Sequence, residues 1–292
     1  MASNGWALAL HGGQREIPPG EMEASRAGCR AALAAGEAIL GRGGGALEAV
    51  EAVLRLMEDN PVFNAGTGSA RNSDGEVEMD AAVMDGATLD LGGVAGIRGV
   101  RHPVSVARLL LRETPVLLVA EGARRFAADR GAELCDPRDL IAERPGGGCD
   151  TIGCVARDRA GNLAAATSTG GLEGCMPGRV GDSPMPGCGL YADNAAGAVA
   201  FSGFGEEIAR AMLAARVIQA LEAGATPDAA AGGAIARIAA LGSEAGGIVL
   251  DRHGRIGWAH NGANFAVGLL AEGGAPRVWL SKDEERKDAG HA

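Results

Sequence analysis

The segment at residues 146–153 constrains this chain more than any other. It reads GGGCDTIG, and Pro145 stands directly before it. Three glycines and a proline hold neither helix nor strand, because glycine loses much backbone entropy on ordering and proline lacks an amide donor. The sequence becomes apolar directly after Thr151. A loose segment therefore leads Thr151 into the start of a strand, which makes the Asp150–Thr151 bond a candidate site of self-cleavage.

The residues that follow Thr151 predict a β-hairpin. An apolar run at 151–156 precedes the turn sequence DRAGN at 158–162, and a second strand-like run follows at 163–169. Thr151 opens the first strand and Thr169 closes the second. Antiparallel pairing would therefore bring their hydroxyls toward the same end of the hairpin.

A threonine in this setting can supply two catalytic groups. Cleavage before Thr151 would expose its α-amine, whose reference pKa of about 7.7 to 8 suits a base near neutral pH. The hydroxyl would then be the nucleophile and the amine the base. From this stretch alone, the favoured interpretation is still an ordinary strand residue after a glycine linker, because threonine is a strand former.

Apolar periodicity predicts the other elements. A short buried strand is expected at 6–10, with two helices at about 22–40 and 47–57. Further along, the pattern predicts strands at about 76–84, 87–94 and 116–119, helices at about 104–112, 121–129 and 227–241, one long helix carrying Ile208 to Leu221, and strands at 247–251 and 256–260. This order predicts two layers of sheet with helices on both outer faces.

Composition and charge exclude several classes of partner. The chain has 292 residues, a formal net charge of -10 and no basic stripe, so neither nucleic acid nor an anionic membrane is an expected partner. Its six cysteines lack metal-ligand spacing and are expected to be free thiols of a reducing compartment. We find no secretion signal and no run near the ~20 apolar residues of a membrane span, so we expect a cytoplasmic protein.

Seven motifs occur in an order that is typical of one family. They are HGG at 11–13, FNAGTGS at 63–69, MDAAVMDG at 79–86, DTIG at 150–153, TSTGG at 167–171, GRVGDSP at 178–184 and SGFGE at 202–206. With these motifs the chain resembles the plant-type asparaginases and isoaspartyl peptidases, which are threonine N-terminal nucleophile hydrolases. The resemblance runs from about residue 5 to about residue 270, and several ordered motifs are more specific than any single one.

The resemblance implies an α+β fold, the four-layer αββα sandwich of these hydrolases. It implies a single domain over residues 1–292 that cleaves itself into an α subunit, 1–150, and a β subunit, 151–292. Dimers of the cleaved pair are implied as well, with small-molecule substrates. Residues 131–150 are expected to form the linker before the cleavage site, and the charged residues 281–292 a disordered tail.

The resemblance also assigns the catalytic groups. Thr151 matches the nucleophile, and Thr169 matches the threonine that hydrogen bonds to it. Ser202 and Gly203 match the hydroxyl and the backbone N–H that stabilise the developing oxyanion. Relatives typically have threonine at the position of Ser202. Serine keeps the hydroxyl but lacks the methyl group that restricts its rotamers.

Recognition of an aspartate derivative requires one cation and one anion close together, because the substrate carries an α-carboxylate and an α-ammonium. Arg179 and Asp182, three residues apart in a glycine-containing loop, can supply this pair, which we call the substrate clamp. Without the resemblance, a solvated surface ion pair is the favoured interpretation. The resemblance places both residues in the clamp, Gly205 at a backbone contact to the ammonium, and Asn64 near the site.

No cofactor is expected for catalysis. The resemblance implies a sodium ion held by backbone carbonyls of one loop, for which the candidates are Met57, Glu58, Asn60, Phe63, Ala65 and Thr67. His11, His260 and Glu206 are expected at strand ends and at a helix start rather than in a catalytic triad. Phe204 stands where relatives have a small or polar residue or histidine. It either lines the leaving-group side of the pocket or is a core aromatic.

These observations predict an autoprocessed amidohydrolase that acts on the β-amide of L-asparagine and on β-aspartyl dipeptides. Two alternatives share the nucleophile, a glycosylasparaginase-like amidase and a protein-cleaving threonine aspartase, and the compact loop at 171–189 argues against the second. An alternative of another class is an uncleaved, inactive family member that acts as a binding protein. The sequence leaves open the preference between asparagine and dipeptides, the effect of Phe204, the completeness of cleavage and the oligomeric state.

Overall fold

A computed structural model describes residues 5–142 and 151–290. Asp150 and the end of the predicted linker lie outside the described residues, so the cleavage site stays a prediction. The strands are β1 (Ala7–Arg15), β2 (Met79–Asp85), β3 (Leu91–Ile97), β4 (Leu117–Val119), β5 (Ile152–Arg157), β6 (Leu163–Thr169), β7 (Leu190–Asp193), β8 (Gly197–Gly203), β9 (Ala245–Asp251), β10 (Ile256–His260), β11 (Asn264–Ala271) and β12 (Arg277–Trp279). The helices are α1 (Met22–Leu40), α2 (Ala46–Glu58), α3 (Pro103–Leu110), α4 (Ala120–Asp129), α5 (Gly205–Ala211), α6 (Leu213–Glu222), α7 (Pro227–Ala240) and α8 (Lys282–Ala289), with 3-10 helices at Pro19–Glu21 and Pro137–Leu140.

Across the described ranges, the strands form two sheets. The larger sheet has eight strands in the order β12-β11-β1-β5-β6-β2-β3-β4, and the smaller has four in the order β10-β9-β8-β7. Pairing is antiparallel except between β3 and β4. Strands β5 and β6 pair from Ile152 with Ser168 to Arg157 with Leu163, which confirms the predicted hairpin.

Alternate side chains of β1 reach two different cores. Leu8 and Leu10 belong to the core that includes residues of α1 and α2, whereas Ala7 and Ala9 belong to the core between the two sheets. Successive side chains of a strand point to opposite faces, so β1 is covered on both. A third core joins the smaller sheet to α6 and α7. Helix, sheet, sheet and helix layers make a four-layer α+β sandwich, which confirms the predicted fold class.

Helix α2 ends where the candidate site begins. Its buried residues recur at intervals of three and four and include Ala46, Ala49, Val50, Val53 and Met57. Such spacing places them on one face, which packs on the sheet. The last helical residue, Glu58, is also fully buried. The helix therefore delivers a carboxyl group into the interior below the loop that follows it.

The C-terminal segment is a helix, so the predicted disorder from residue 281 is wrong over Lys282–Ala289. Ser281 caps α8 by accepting the amide of Glu284. The acidic side chains have partners in the body of the protein: Arg26 donates to both oxygens of Glu284 at 2.8 and 3.0 Å, and the Trp279 indole donates to Asp288 at 2.6 Å. Charge alone predicted solvation, but these contacts tie the helix to α1 and β12.

The predicted long helix over 208–221 is two helices. Met212 adopts a left-handed conformation with φ 50° between α5 and α6. At the start of α6, Ala214 donates to the carbonyl of Cys188 and Ala215 to that of Gly187, at 3.2 and 2.9 Å. These bonds to a neighbouring loop replace bonds that a continuous helix would make. The apolar periodicity is the same in both arrangements, so the sequence pattern did not reveal the break.

Candidate active site

The Thr151 hydroxyl lies among three chain segments at the end of the β5–β6 hairpin. It is 2.8 Å from the hydroxyl of Ser183, and both residues are buried. The backbone N–H of Thr151 donates to the Ser202 hydroxyl at 3.2 Å. That same oxygen accepts the amide of Gln14 from β1 at 3.0 Å. Two amides from different strands therefore fix the Ser202 oxygen beside the candidate nucleophile.

Thr169 lies at the same end of the hairpin, as predicted, but its hydroxyl has a different partner. It accepts the amide of Gly171 at 3.1 Å, whereas the hydroxyl of Thr151 is bonded to Ser183. The expected Thr151–Thr169 hydrogen bond is therefore absent from the described contacts. The TSTGG segment turns sharply after β6, and the Thr169 hydroxyl stabilises that turn.

Gly203 sits where the chain backbones come very close. A Cβ at this position would lie 2.5 Å from the Glu244 carbonyl oxygen and 2.7 Å from the Ala245 Cα, and its φ of 156° is unfavourable for other residues. Glycine thus allows β8 to pack tightly on β9 at the position directly after Ser202. The candidate oxyanion donors are held by this packing rather than by a flexible loop.

The substrate clamp is assembled, with Gly205 at its centre. A Cβ on Gly205 would lie 2.9 Å from Asp182 Oδ1 and 3.1 Å from Arg179 Nη2. Arg179 donates through Nε and Nη2 to the two oxygens of Glu206, both at 2.9 Å. The structure therefore brings the two predicted clamp residues together. It also shows that Glu206, in the first turn of α5, occupies two donors of the guanidinium.

Two carboxyl groups near Arg179 are protonated more readily than usual. Burial raises the pKa of Asp182 and of Asp80 to about 7 each, although Arg179 partly opposes the rise in both cases. Asp80 lies opposite Thr169 in the β2–β6 pairing and accepts the amide of Gly96 at 2.8 Å. Glu206 behaves in the opposite way, because the hydrogen bonds from Arg179 lower its pKa.

His11 lies within β1 next to the hairpin, rather than at the strand end expected from the sequence, because the strand continues to Arg15. It pairs with Gly153 in the β1–β5 register, and any Cβ on Gly153 would overlap its ring. Burial lowers the pKa of His11 to about 3, with a smaller opposing effect from the Thr151 backbone. The imidazole is therefore neutral at physiological pH and packs 5.1 Å from the ring of Phe265.

Asn64 supports the site through backbone contacts. Its side-chain oxygen accepts the amide of Ala70 at 2.7 Å, and its side-chain nitrogen donates to the carbonyl of Gly171 at 2.8 Å. Its own carbonyl accepts the amide of Gly170. Asn64 thus links the loop after α2 to the turn that follows Thr169. Its side chain has two protein partners, so we interpret it as a support of the site.

The candidate sodium loop is tightly folded. The carbonyls of Met57, Glu58 and Asn60 accept the amides of Asn60, Thr67 and Phe63, at 3.1, 2.7 and 3.1 Å. A carbonyl oxygen has two lone pairs, so one amide bond leaves the Glu58 and Asn60 oxygens a lone pair each, whereas the Met57 oxygen also accepts the amide of Asp59. The Glu58 carboxyl faces the interior, where it accepts the Ser168 hydroxyl at 2.6 Å. In the parts of the chain that the structure describes, no cluster of three or more His, Cys, Asp or Glu could hold a metal.

Sequence reasoning missed Ser183 and Asp80, and it expected Glu206 only at a helix start, whereas the structure places all three around the candidate nucleophile and the clamp. Ser183 contacts Thr151, Asp80 lies beside Arg179, and Glu206 pairs with Arg179. All three stand inside motifs that were recognised, so a signal was present. Their roles depend on which motifs meet in space, which the order along the chain does not show. Phe204 is 49% exposed, so it is not a core aromatic.

These features define a class of protein. Two stacked sheets between helix layers, with a buried threonine hydroxyl at the start of a central strand, are the fold of the N-terminal nucleophile hydrolases. Among the described residues, no helix is long and apolar enough to cross a membrane.

Comparison with known proteins confirms the resemblance seen in the sequence. The chain belongs to the asparaginase family, whose profile matches residues 4–146 and 142–280. It is 43% identical over 265 residues to an isoaspartyl peptidase/L-asparaginase of Danio rerio, covering 84% of this chain and 86% of that protein. It is 38% identical over 286 residues to an isoaspartyl peptidase of Salmonella typhimurium, covering 87% and 91%. An isoaspartyl peptidase of Escherichia coli is 35% identical over 310 residues, covering 91% and 97%. The protein is therefore an enzyme of a hydrolase family.

Proposed function

We propose that this enzyme hydrolyses the β-amide of L-asparagine and the β-aspartyl bond of isoaspartyl dipeptides, with Thr151 as the nucleophile after self-cleavage. One observation carries the proposal: Thr151 donates its backbone N–H to Ser202 at 3.2 Å while its hydroxyl is buried against Ser183. The substrate clamp of Arg179 and Asp182 is assembled nearby around Gly205. The names of the relatives support the substrate class.

Maturation begins with the Thr151 hydroxyl. Its oxygen attacks the carbonyl carbon of Asp150, the C–N bond to Thr151 breaks, and the nitrogen takes up a proton, which leaves an ester between Asp150 and the Thr151 oxygen. Water hydrolyses this ester to a carboxylate at Asp150 and restores the Thr151 hydroxyl, beside the amine that the first step freed. The amide that donates to Ser202 in the uncut chain becomes the amine that acts as base in the mature enzyme.

The catalytic cycle uses the same oxygen. The Thr151 amine accepts the hydroxyl proton as the oxygen attacks the β-carbonyl carbon of the substrate. The negative charge that develops on the carbonyl oxygen is stabilised by the Ser202 hydroxyl and the Gly203 N–H. The amine then gives its proton to the leaving ammonia or amine, which produces a β-aspartyl ester. Water hydrolyses the ester to aspartate and restores the hydroxyl.

The substrate clamp selects the aspartyl part of the substrate. The planar guanidinium of Arg179 can bind a carboxylate through two hydrogen bonds. Glu206 makes such a pair with it, so the substrate carboxylate must share or replace that contact. Asp182 lies beside Gly205 and can accept hydrogen bonds from the α-ammonium when it is ionised.

Intact mass measurement of the purified protein tests the proposal most directly. We expect two chains, ending at Asp150 and starting at Thr151, and hydrolysis of asparagine and β-aspartyl dipeptides. Thr151→Ala should give one uncut, inactive chain, whereas Thr88→Ala, which changes a threonine in an exposed turn, should cleave and react normally. Hydrolase activity in Thr151→Ala would refute the mechanism.

The same assays separate the alternatives. Preferred release of glycosylated asparagine side chains would favour a glycosylasparaginase-like amidase. A single uncut wild-type chain after long incubation under reducing conditions would favour an inactive binding protein.

Three further properties belong to the proposal. The cleaved pair forms a dimer, and the enzyme works in the cytoplasm, which agrees with the free cysteines among the described residues. Backbone carbonyls of the loop at 57–67 hold a sodium ion that rigidifies the loop. Removing sodium by exchange into a potassium-free choline buffer should lower the melting temperature if the ion is bound there.

A further inference from the structure

A cavity lined by several arginines lies away from the substrate clamp. Its volume is about 370 Å³, and it is bordered by residues of α2, α3 and the segment after α4. Four arginines line it, against two glutamates: Arg55, Arg108, Arg112, Arg130, Glu51 and Glu133. This is an excess of two positive charges on a chain whose formal net charge is -10. None of the residues of the candidate active site lines this cavity.

Two of the four arginines already have partners. Arg55 donates to the Ser105 hydroxyl at 2.8 Å and to Glu133 at 2.6 Å, and Arg130 pairs with Glu113. The guanidinium groups of Arg108 and Arg112 make no hydrogen bond or ion pair with the residues that the structure describes. Arg108 lies in the last turn of α3 and Arg112 lies two residues beyond its end, and both line the cavity.

Helix ends account for only part of this positive charge. Helix α3 ends at Leu110 and α4 at Asp129, both next to the cavity. Each C-terminus carries about half a negative charge, which favours nearby cations. Two such ends together offset about one of the two excess positive charges. The guanidinium groups of Arg108 and Arg112 still have no ion-pair partner among the described residues and can donate to an anion.

We propose that this cavity binds a small oxyanion of the phosphate class. The guanidinium groups of Arg108 and Arg112 are arginine forks that suit phosphate oxygens. A phosphate group carries about 1.5 to 2 negative charges at neutral pH and has enough acceptor oxygens to engage both guanidinium groups. The proposal is independent of the proposed hydrolase reaction, because it requires neither cleavage nor turnover.

One lining residue of the cavity, His102, is linked through Glu58 to Ser168, the neighbour of Thr169. His102 lines the cavity, and its Nδ1 lies 3.3 Å from Glu58 Oε2. The other oxygen of Glu58 accepts the Ser168 hydroxyl at 2.6 Å and the Val104 amide at 3.0 Å. An anion bound in this cavity would therefore stabilise the folded state, in which Glu58 joins His102, Val104 and Ser168. We expect the melting temperature to rise with phosphate concentration.

Calorimetric titration with inorganic phosphate, at constant ionic strength set with chloride, tests the proposal. We expect one binding event in the wild-type protein and at least a tenfold weaker affinity in Arg108→Ala/Arg112→Ala. The matched control is Arg237→Ala, which removes an exposed arginine of α7 and should bind like the wild type. An unchanged affinity in the double variant, or no binding to the wild type beyond that of chloride, would overturn the proposal.

Two further arms define the site and the ligand. Arg179→Ala should bind phosphate with unchanged affinity, because the clamp arginine is not part of this cavity; loss of binding in that variant would move the anion to the clamp and overturn the assignment. Succinate should bind at least tenfold more weakly than phosphate. Equal or tighter binding of succinate would contradict the phosphate class and identify a dicarboxylate site.

Discussion

The candidate active site consists of two halves that are stabilised in different ways. In the hydroxyl half, Thr151, Ser183 and Ser202 are neutral and bonded to one another or to backbone amides at 2.8 to 3.2 Å. The substrate clamp is charged, and its arginine is paired with Glu206. Nearby Asp80 and Asp182 have pKa values raised by burial to about 7.

The difference indicates that pH and substrate binding affect the clamp more than the hydroxyl half. Strand ends and backbone amides fix the hydroxyl half, so its geometry should depend little on pH. The clamp contains a buried carboxyl, Asp182, whose pKa is raised to about 7, and its guanidinium is paired with Glu206, a contact that a substrate carboxylate would have to share or replace. We therefore expect substitutions in the hydroxyl half to change kcat, and changes in the clamp or the pH to change KM.

After substitution of Thr151, the largest decrease in kcat should come from Ser202→Ala. The variant lacks a hydroxyl donor to the oxyanion, which typically costs about 10²–10³ in kcat. KM should change much less. Ser202→Thr is the matched control, since it keeps the hydroxyl and should retain most of the activity. A normal kcat in Ser202→Ala would mean that this hydroxyl does not act on the oxyanion.

Arg179→Lys should raise KM with a smaller change in kcat. Lysine keeps the positive charge but cannot bind a carboxylate through a planar fork. Hydrogen bonds to charged groups are worth about 1.5–3 kcal/mol, so we expect KM for asparagine to rise about 10- to 100-fold. Steady-state kinetics measure both constants. A change confined to kcat would place Arg179 in the chemical step and would contradict the expectation that clamp substitutions change mainly KM.

The pH dependence of KM should follow the ionisation of Asp182. Its pKa is raised to about 7 in the free protein, so it is mostly protonated at pH 6 and mostly ionised at pH 8. The α-ammonium of the substrate binds the ionised form. KM for asparagine should therefore fall about tenfold from pH 6 to pH 8 if Asp182 titrates alone.

Two variants identify the titrating group. Asp182→Asn should bind substrate weakly and lose the pH dependence of KM. Asp80→Asn should keep the dependence but shift it to lower pH, because Asp80 raises the pKa of Asp182. A pH profile that is abolished only by Asp80→Asn would assign the titration to Asp80 instead.

Ser183→Ala should slow self-cleavage modestly. It removes the 2.8 Å contact to the Thr151 hydroxyl, and one such hydrogen bond contributes about 0.5–1.5 kcal/mol. We expect cleavage to slow about 2- to 10-fold, followed by intact mass over time. Ser243→Ala, outside the site, should cleave at the normal rate. Faster cleavage in Ser183→Ala would show that Ser183 restrains the nucleophile.

The smallest expected effect concerns the leaving group. Phe204 is about half exposed directly after Gly203, where its ring can contact an apolar leaving residue. Phe204→Ala should lower kcat/KM for a β-aspartyl-phenylalanine dipeptide a few-fold and leave asparagine hydrolysis nearly unchanged. Equal changes for both substrates would show that Phe204 supports the fold of α5 rather than the leaving group.

Much of the fold was readable from local patterns. The hairpin of β5 and β6 followed from two apolar runs around a turn, and helices α1 and α2 followed from apolar spacing. The break between α5 and α6 was missed, because it is set by bonds to the loop at 187–188. The order of α8 was missed as well, since its acidic residues are held by Arg26 and by two tryptophan indoles.

In the candidate site, too, the sequence predicted the residues, whereas tertiary contacts decided their partners. The motifs brought Thr151, Ser202, Arg179 and Asp182 into consideration one by one, and the structure places them together. The partner of the Thr151 hydroxyl was assigned to Thr169, whereas the structure gives Ser183. Thr169 is the last residue of β6, and its hydroxyl bonds to the amide of Gly171. Ser183 lies in the loop before β7, and its hydroxyl contacts that of Thr151.

The sequence by itself determined the layers of this protein, its family and the kinds of groups at its site, because apolar periodicity and motif order are properties of neighbouring residues. Only the tertiary structure decided which of those groups touch and which are charged. Hydrogen-bond partners, such as the pairing of Arg179 with Glu206, depend on distances across the fold. The raised pKa values of Asp80 and Asp182 depend on burial, which exists only after the sheets and helices have packed.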